Sequence, residues 1–301
     1  MSLLVTGSIA IDSVRTPYGA SEDCIGGSAV YFSMAASFFC PVRLVGVIGS
    51  DCPFEFAEVF SGRYVDLRGL EVRQGSKTFR WAGTYYGDMN DRSTDKLELN
   101  VLAEEPPKVP ELFKDSEFVF LANTTPAIQL EFLGQIEKPF FVAADTMDCW
   151  IKGHREDLKR LLKRIDCLII NDVEVQMLAA EDGLVKAAEK VLGMGPDVVV
   201  VKEGGSGSLM CGADGERFAL PAYRAGEVKD PTGAGDSFAG ALMGYLAQKG
   251  KRDFESLKQA MGYGTVVASF AISEFSIAGL RAIGKADIDS RFEELRELTS
   301  F

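Results

Sequence analysis

The stretch Asp230-Pro231-Thr232-Gly233-Ala234-Gly235-Asp236-Ser237-Phe238 leads from a turn-forming Asp-Pro pair through three small residues into an amphipathic run. After Asp236 the apolar residues recur at helical spacing and Gly250 closes the run, which predicts a helix. Gly233, Ala234 and Gly235 therefore lie where the first backbone N–H groups of a helix have no partner within it. Because those amides and the helix dipole both favour negative charge, the stretch predicts an anion site.

A carboxylate stands directly beside this predicted anion site. A phosphate would repel Asp236 unless the acid had a chemical role, and the role that fits is removal of a proton from a hydroxyl that attacks the phosphate. The alternative is a loop and helix cap without chemistry, which is the common interpretation of an isolated Gly-x-Gly. The ordered set Asp-x-Thr-Gly-Ala-Gly-Asp is far more specific than that.

The composition excludes several classes of protein. The chain has 301 residues, 47% hydrophobic and 25% charged, and its net charge of -12 without a basic tract argues against a nucleic-acid partner. Six cysteines without a Cys-x-x-Cys pair indicate unpaired thiols, and the single histidine argues against His–metal or Ser-His-Asp chemistry. Since there is no signal-peptide pattern and no apolar run of about 18 residues, we expect a cytoplasmic protein without a membrane partner.

Strands and helices alternate over most of the chain. Short apolar runs such as 3–9, 118–122 and 198–201 are typical of buried strands, and helical patterns follow them. This alternation predicts an α/β fold with a mostly parallel, doubly wound sheet. The sequence contains neither a Gly-x-x-x-x-Gly-Lys-Ser/Thr motif nor a Gly-x-Gly-x-x-Gly motif after the first strand, which argues against P-loop and Rossmann-type nucleotide sites.

One segment departs from this alternation. Residues 78–85 alternate apolar and polar side chains, and a second alternating run, 97–101, follows a polar loop over 87–95. We therefore expect a small β lid inserted in the main domain, approximately residues 75–105 together with a short segment near 12–22. The alternative is an ordinary edge hairpin. The first run places three aromatic residues on one face: Phe79, Trp81 and Tyr85.

Polar residues and glycines follow several predicted strands, where ligands usually bind in an open α/β sheet. They are Asp12, Asn171, Glu174, and Lys202 with the glycines Gly204, Gly205 and Gly207. Each has a purely structural alternative: a turn-capping acid, a capping box and a plain β-turn. Separately, the pair Gly26-Gly27 precedes an apolar helix and would let the backbone approach a ligand or bend as a hinge.

Together these residues resemble the ribokinase-like (PfkB) family of carbohydrate kinases. The resemblance runs over nearly the whole chain and rests most on the motif 230–236, with support from the glycine pair, the Asn-x-x-Glu pair and the lid. It implies one kinase domain over 1–301, with a three-layer α/β/α fold, a mostly parallel central sheet and a small β-sheet lid. The chain departs from the family at one point. An Asn commonly follows the glycine pair by a few residues, but this chain has Val30-Tyr31 in that region.

The resemblance also implies a reaction, which is Mg²⁺-dependent transfer of the γ-phosphate of ATP to a hydroxyl of a small sugar or sugar-like substrate. Asp236 would be the general base, and the amides of Gly233, Ala234 and Gly235 would form the anion hole. Substrate contacts would come from Asp12, Gly26, Gly27 and Asp236. Nucleotide contacts would come from Asn171, Lys202, Gly204, Gly205, Gly207, Thr232, Gly233 and Gly235. Asn171 and Glu174 would hold Mg²⁺ through water, and Asp230 and Thr232 would form the monovalent-cation (K⁺) site that some members have.

Three alternatives remain open. A nucleoside (adenosine-like) kinase of the same family would share every motif, and aromatic side chains in the lid suit stacking on a base. A hydroxymethylpyrimidine or pyridoxal kinase-like member would have a reduced lid, and a non-catalytic sugar sensor would be expected to lose the base. The sequence does not name the acceptor. Pairing of the lid with its copy in a homodimer is a further expectation.

Overall fold

The computed structural model describes residues 1–87, 89, 91–224 and 226–299. Asp88 and Asn90, which belong to the predicted polar loop, lie outside the described residues. The strands are β1 Leu3–Thr6, β2 Ala10–Thr16, β3 Gly19–Gly26, β4 Val42–Gly49, β5 Val65–Arg73, β6 Phe79–Tyr86, β7 Asp91–Glu98, β8 Phe118–Leu121, β9 Phe141–Asp145, β10 Cys167–Asn171, β11 Val198–Lys202, β12 Ser208–Gly212 and β13 Arg217–Leu220. The helices are α1 Ser28–Ala36, α2 Phe56–Val59, α3 Pro126–Leu133, α4 Asp148–Gly153, α5 Arg155–Leu162, α6 Asp172–Ala179, α7 Leu184–Leu192, α8 Ala234–Lys249, α9 Phe254–Ala271, α10 Ala278–Arg281 and α11 Lys285–Thr299.

Nine strands form the main sheet, in the order β13-β12-β11-β10-β9-β8-β1-β4-β5. The pairs β11–β12 and β12–β13 are antiparallel, and the other pairs are parallel. The mostly parallel α/β sheet predicted from the alternation of strands and helices is therefore confirmed.

Helices cover both faces of the main sheet, which gives the three layers. Phe118 and Phe120 of β8 point into a core shared with α1, α8, α9 and α11, while Val119 and Leu121 point into a second core shared with α3, α5, α6 and α7. Successive side chains of a strand point to opposite faces, so a strand buried on both sides is apolar throughout. Each such side chain contributes roughly 1.5–3 kcal/mol by leaving water.

The second sheet has four strands in the order β3-β2-β6-β7, with β2 and β6 parallel. The sequence prediction of its last strand was wrong in its bounds. Residues 91–95, expected in a polar loop, are the first part of β7, whereas Leu99 and Val101 lie beyond the end of that strand. Side chains on both faces of β7 reach solvent, so its sequence carries no apolar alternation to mark it.

The middle of α8 is fixed against α1 by close packing. Gly240 and Gly244 have no side chain, and a Cβ on either would lie within 2.3 Å and 2.8 Å of carbonyl oxygens of α1. The helix begins after Gly233, whose φ of 75° is left-handed, and ends at Gly250 with a φ of 65°. Both ends agree with the sequence prediction, and such backbone angles favour glycine.

Other sequence expectations concern the cysteines and the membrane. All six cysteines are free thiols. Over the part of the chain that the structure describes, no helix combines the length and the hydrophobicity that crossing a bilayer requires.

Candidate active site

Three neighbouring parallel strands of the main sheet bring polar side chains to one edge. β9 ends at Asp145, β10 at Asn171 and β11 at Lys202, and Asn171 is in register with Lys202. Because the carboxyl ends of parallel strands share one edge, these residues form a polar rim there. The first turn of α8 lies over the same rim, because Gly235 in that turn is in close contact with Lys202 Nζ.

The loop before α8 forms a cradle of small residues, Gly233, Ala234 and Gly235. A Cβ on Gly235 would lie 2.6 Å from Lys202 Nζ, so the ammonium rests against this backbone. Within the described residues, Gly233 N–H and Gly235 N–H donate no hydrogen bond, whereas Ala234 N–H donates to Pro231 O at 3.2 Å. Two open amides, a helix N-terminus and an ammonium together favour an anion.

Asp236 lies in the first turn of α8, and its side chain is half-buried. Burial raises the pKa of its carboxyl, while Lys202, Arg92 and its own amide oppose that rise. A more basic carboxylate is a better acceptor for a hydroxyl proton. Arg92 comes from β7, so the small sheet brings a positive charge near the same carboxyl.

Asp12 lies on β2 and is 3% exposed. Gly26 makes room for it, because a Cβ there would lie 1.8 Å from Asp12 Oδ2. Burial, then the charge of Asp230 and to a smaller degree that of Asp236, raise the pKa of Asp12 to about 8, although the Gly27 N–H donates to it. Asp12 Oδ1 is buried without a hydrogen-bond partner. At neutral pH the carboxyl of Asp12 is therefore mostly protonated and able to donate a hydrogen bond.

Gly27 has a separate structural requirement. Its φ is 97°, and a Cβ would lie 2.5 Å from Ser8 O. The glycine pair thus leaves room for two close neighbours. The carboxylate of Asp12 packs against Gly26, and the backbone that follows β1 packs against Gly27.

Asp230 is buried beneath the cradle, and both of its carboxylate oxygens accept backbone amides. Thr232 N donates to Oδ1 at 2.9 Å and Ser276 N to Oδ2 at 3.1 Å. Thr232 Oγ1 in turn donates to Tyr85 Oη at 3.3 Å, and Arg92 donates to the same oxygen at 3.4 Å. These bonds connect the small sheet to the loop before α8.

Asn171 and Glu174 form the capping box that the sequence offered as a structural alternative. Asn171 Oδ1 accepts from Glu174 N at 2.7 Å, and Glu174 Oε2 accepts from Asn171 N at 3.2 Å. Burial raises the pKa of Glu174, and Lys202 opposes the rise. The cap uses one of the two carboxylate oxygens of Glu174, which leaves the other for a second role, whereas it uses the only side-chain oxygen of Asn171 and leaves that oxygen one further lone pair.

The glycines after Lys202 form the tight turn between β11 and β12. Glu203 N donates to Gly207 O at 2.8 Å, and Gly207, at a φ of 119°, would bring a Cβ within 2.1 Å of Leu220 O. Gly204 and Gly205 are exposed on this turn. The segment thus forms the tight turn that the sequence offered as its structural alternative. A nucleotide contact by these glycines stays a prediction.

Sequence reasoning missed Asp145 as a site residue. It is 6% exposed, its Oδ1 has no hydrogen-bond partner, and burial followed by the charge of Asp236 raises its pKa well above the usual range. The available signal was an acid at the end of an apolar strand, the same signal that marked Asp12.

The chain matches a known protein family over most of its length. The family model described as pfkB family carbohydrate kinase matches residues 25–279. A curated protein of Thermococcus kodakarensis, cytidine kinase, is 28% identical over 251 residues, which cover 81% of this chain and 88% of the relative.

Solved structures resemble the whole chain. The nucleoside kinase of Burkholderia thailandensis in complex with inosine has a TM-score of 0.78 at 18% identity and covers 97% of this chain and 98% of its own. An E. coli protein proposed to be ribokinase II, in complex with ATP and Mg²⁺, has a TM-score of 0.78 at 18% identity, with 97% and 99% covered. At these identities the likeness concerns the fold.

Proposed function

Since this chain belongs to the pfkB family of carbohydrate kinases, and so is an ATP-dependent phosphotransferase, we propose that its acceptor is a hydroxyl of a nucleoside. The cytidine kinase of Thermococcus kodakarensis supports a nucleoside, because the similarity spans 81% of this chain and 88% of the relative. The sequence alone favoured a sugar as the acceptor and kept a nucleoside as the alternative. The similarity to a cytidine kinase favours the nucleoside.

The observation that carries the reaction is the juxtaposition of Asp236 with the cradle. A carboxyl of raised pKa sits one residue from Gly235, where Lys202 Nζ rests, and two backbone amides of the cradle are open. In the proposed reaction Asp236 takes the proton of the attacking hydroxyl, a role typically worth roughly 10²–10⁴-fold in rate. Gly233 N–H, Gly235 N–H and Lys202 stabilise the charge on the transferred phosphoryl group.

The rim also suits Mg²⁺. Asp145 Oδ1 is buried without a partner, and Glu174 keeps one carboxylate oxygen outside the capping box. In phosphoryl-transfer sites Mg²⁺ is usually held by one or two carboxylates, by substrate phosphates and by water. Asp145, Glu174 and Asn171 would hold it, and when bound it would neutralise charge on the phosphates.

The acceptor would lie between the two sheets. Asp12, which is mostly neutral at pH 7, can donate as well as accept hydrogen bonds to ribose hydroxyls. The small sheet would act as the lid that excludes water from the reaction, and Arg92 would enter with it. Dependence on K⁺ through Asp230 and Thr232 and a homodimer through the lid stay predictions.

A sugar acceptor is the second candidate, because the matching family model describes carbohydrate kinases. The experiment that decides is release of ADP from ATP with a panel of nucleosides and sugars, with and without Mg²⁺ and K⁺. We expect cytidine or another nucleoside to give the highest kcat/KM and omission of Mg²⁺ to abolish turnover. Turnover with free sugars but with no nucleoside would refute the nucleoside, and binding of acceptors without ADP formation would refute the kinase reaction.

A further inference from the structure

Tyr85 of β6 attaches the small sheet to the main body of the protein through its ring. The residue is 5% exposed and packs with Val14 and Met89 in a small apolar cluster. Val228, from the loop before α8, and Phe275, from the segment after α9, pack against the same cluster. Because these two residues belong to the main body, the ring fixes where the small sheet lies over the loop before α8.

The hydroxyl of Tyr85 joins two further groups by hydrogen bonds. Thr232 Oγ1 donates to it at 3.3 Å, and Arg92 Nη1 donates to it at 3.4 Å. One phenol oxygen can accept both bonds. Thr232 directly precedes Gly233, the first residue of the cradle. Only two hydrogen bonds therefore separate the guanidinium of Arg92 from the loop that forms the anion site.

The indole of Trp81 holds Arg92 from another side. The guanidinium lies over the Trp81 ring, 5.6 Å from its centroid. The ring is itself fixed, because its Nε1 donates to Thr94 Oγ1 at 3.3 Å and because it lies across Gly83, where a Cβ would be 2.3 Å from Trp81 Cζ2. An arginine that its neighbours already hold loses less conformational entropy when it binds an anion.

The charge of Arg92 acts on the same acids as that of Lys202. Burial raises the pKa of Asp236 and of Glu174, and at both carboxyls Lys202 and then Arg92 oppose the rise. Lys202 belongs to the main sheet and Arg92 to the small sheet. The reacting edge thus receives positive charge from both sheets.

From these contacts we propose that Tyr85 is a positioning residue for phosphoryl transfer, whose hydroxyl holds the Arg92 guanidinium at the cradle, in contact with the transferred phosphoryl group. The proposal rests on the proposed function, since it takes the cradle as the phosphoryl site. A guanidinium suits that place, because its planar set of donors matches phosphate oxygens. The same hydroxyl bonds Thr232, so Arg92 is in place only while the small sheet lies on the loop. One contact thereby couples exclusion of water to stabilisation of charge.

The substitution Tyr85→Phe tests the proposal, because it keeps the ring in the apolar cluster and removes only the hydroxyl. We expect kcat to fall about tenfold, as for loss of a hydrogen bond from a charged donor. Both KM values, for ATP and for the acceptor, should change less than about twofold, because Arg92 stabilises charge that develops in the transition state. Tyr86→Phe is the matched control. It removes the hydroxyl of the next residue of β6, which is 52% exposed and bonds Ser93 at 3.1 Å, and it should behave as wild type.

A double variant separates positioning of Arg92 from a purely structural role of the hydroxyl. Arg92→Met should lower kcat at least as much as Tyr85→Phe does, and adding Tyr85→Phe to it should cost nothing more, a non-additive result. All variants are measured with the acceptor that gives wild type its highest kcat/KM. An unchanged kcat in either single variant, or losses that multiply in the double variant, would overturn this inference alone. A wild type that forms no ADP with any acceptor would overturn the proposed function as well.

Discussion

Replacing Asp12 by Asn should change how the stability of the protein depends on pH. The carboxyl of Asp12 is protonated in the folded state up to about pH 8, whereas in the unfolded chain it ionises near its ordinary pKa of 3.8. Between those values the folded state binds one proton more than the unfolded state, so the free energy of unfolding falls as pH rises. The contribution of Asp12 is fully present below pH 3.8 and is lost as pH rises through about 8.

The magnitude follows from that interval. One extra proton in the folded state gives a slope approaching about 1.4 kcal/mol per pH unit, so wild type should lose roughly 2–3 kcal/mol relative to Asp12→Asn between pH 5 and pH 7. The asparagine is neutral at every pH and close in shape, so the space that Gly26 leaves remains filled. At roughly 2 °C per kcal/mol, the melting temperatures of the two proteins should diverge by about 5 °C over this range.

Denaturant unfolding of both proteins at pH 5, 6 and 7 measures the effect. Asp214→Asn, the same change at an exposed turn, is the control and should follow wild type. Parallel curves for wild type and Asp12→Asn would refute the reasoning, since they would mean that Asp12 ionises equally easily in both states.

Three further substitutions address the cradle and the rim. Asp236→Asn should lower kcat by about 10²–10⁴-fold and leave ATP binding intact by calorimetry; near-normal turnover would contradict its assignment as the base. Gly233→Ala should lower the melting temperature and abolish turnover, because alanine resists a φ of 75° and its Cβ would overlap the ring of Tyr31. Gly153→Ala, whose Cβ meets open space, is the control and should behave as wild type. Lys202→Met should lower kcat/KM for ATP about tenfold or more. It should also move the acidic limb of the pH–rate profile to higher pH, because the ammonium that favours ionised Asp236 is gone. An unshifted profile would argue against an interaction between Lys202 and Asp236.

Local patterns were enough to predict the centre of the site. The small residues before α8 and the closing Gly250 gave both ends of that helix, because each end requires a left-handed backbone angle that favours glycine. A strand end likewise marked Asn171, since the carboxyl edge of a parallel sheet collects ligands. Asp12, expected just past the end of the first strand, lies instead inside β2 of the small sheet.

Contacts between distant elements were not predictable in this way. The bond from Thr232 to Tyr85, the ring of Tyr31 beneath Gly233 and the approach of Lys202 to Gly235 each join segments far apart in sequence. No local periodicity encodes such pairs. The polar first half of β7 was missed for a related reason, because its partner strand and not its own side chains determines that it is extended.

The contact between the Asp12 carboxylate and Gly26 limits which substitutions the two positions can accept. The carboxylate occupies the volume that any side chain at position 26 would need, as the distance of 1.8 Å from a Cβ there shows. Alanine at position 26 and an acid at position 12 thus exclude each other. Homologues should vary at these two positions as a pair, and a protein that exchanges one alone should fold with its acceptor pocket displaced.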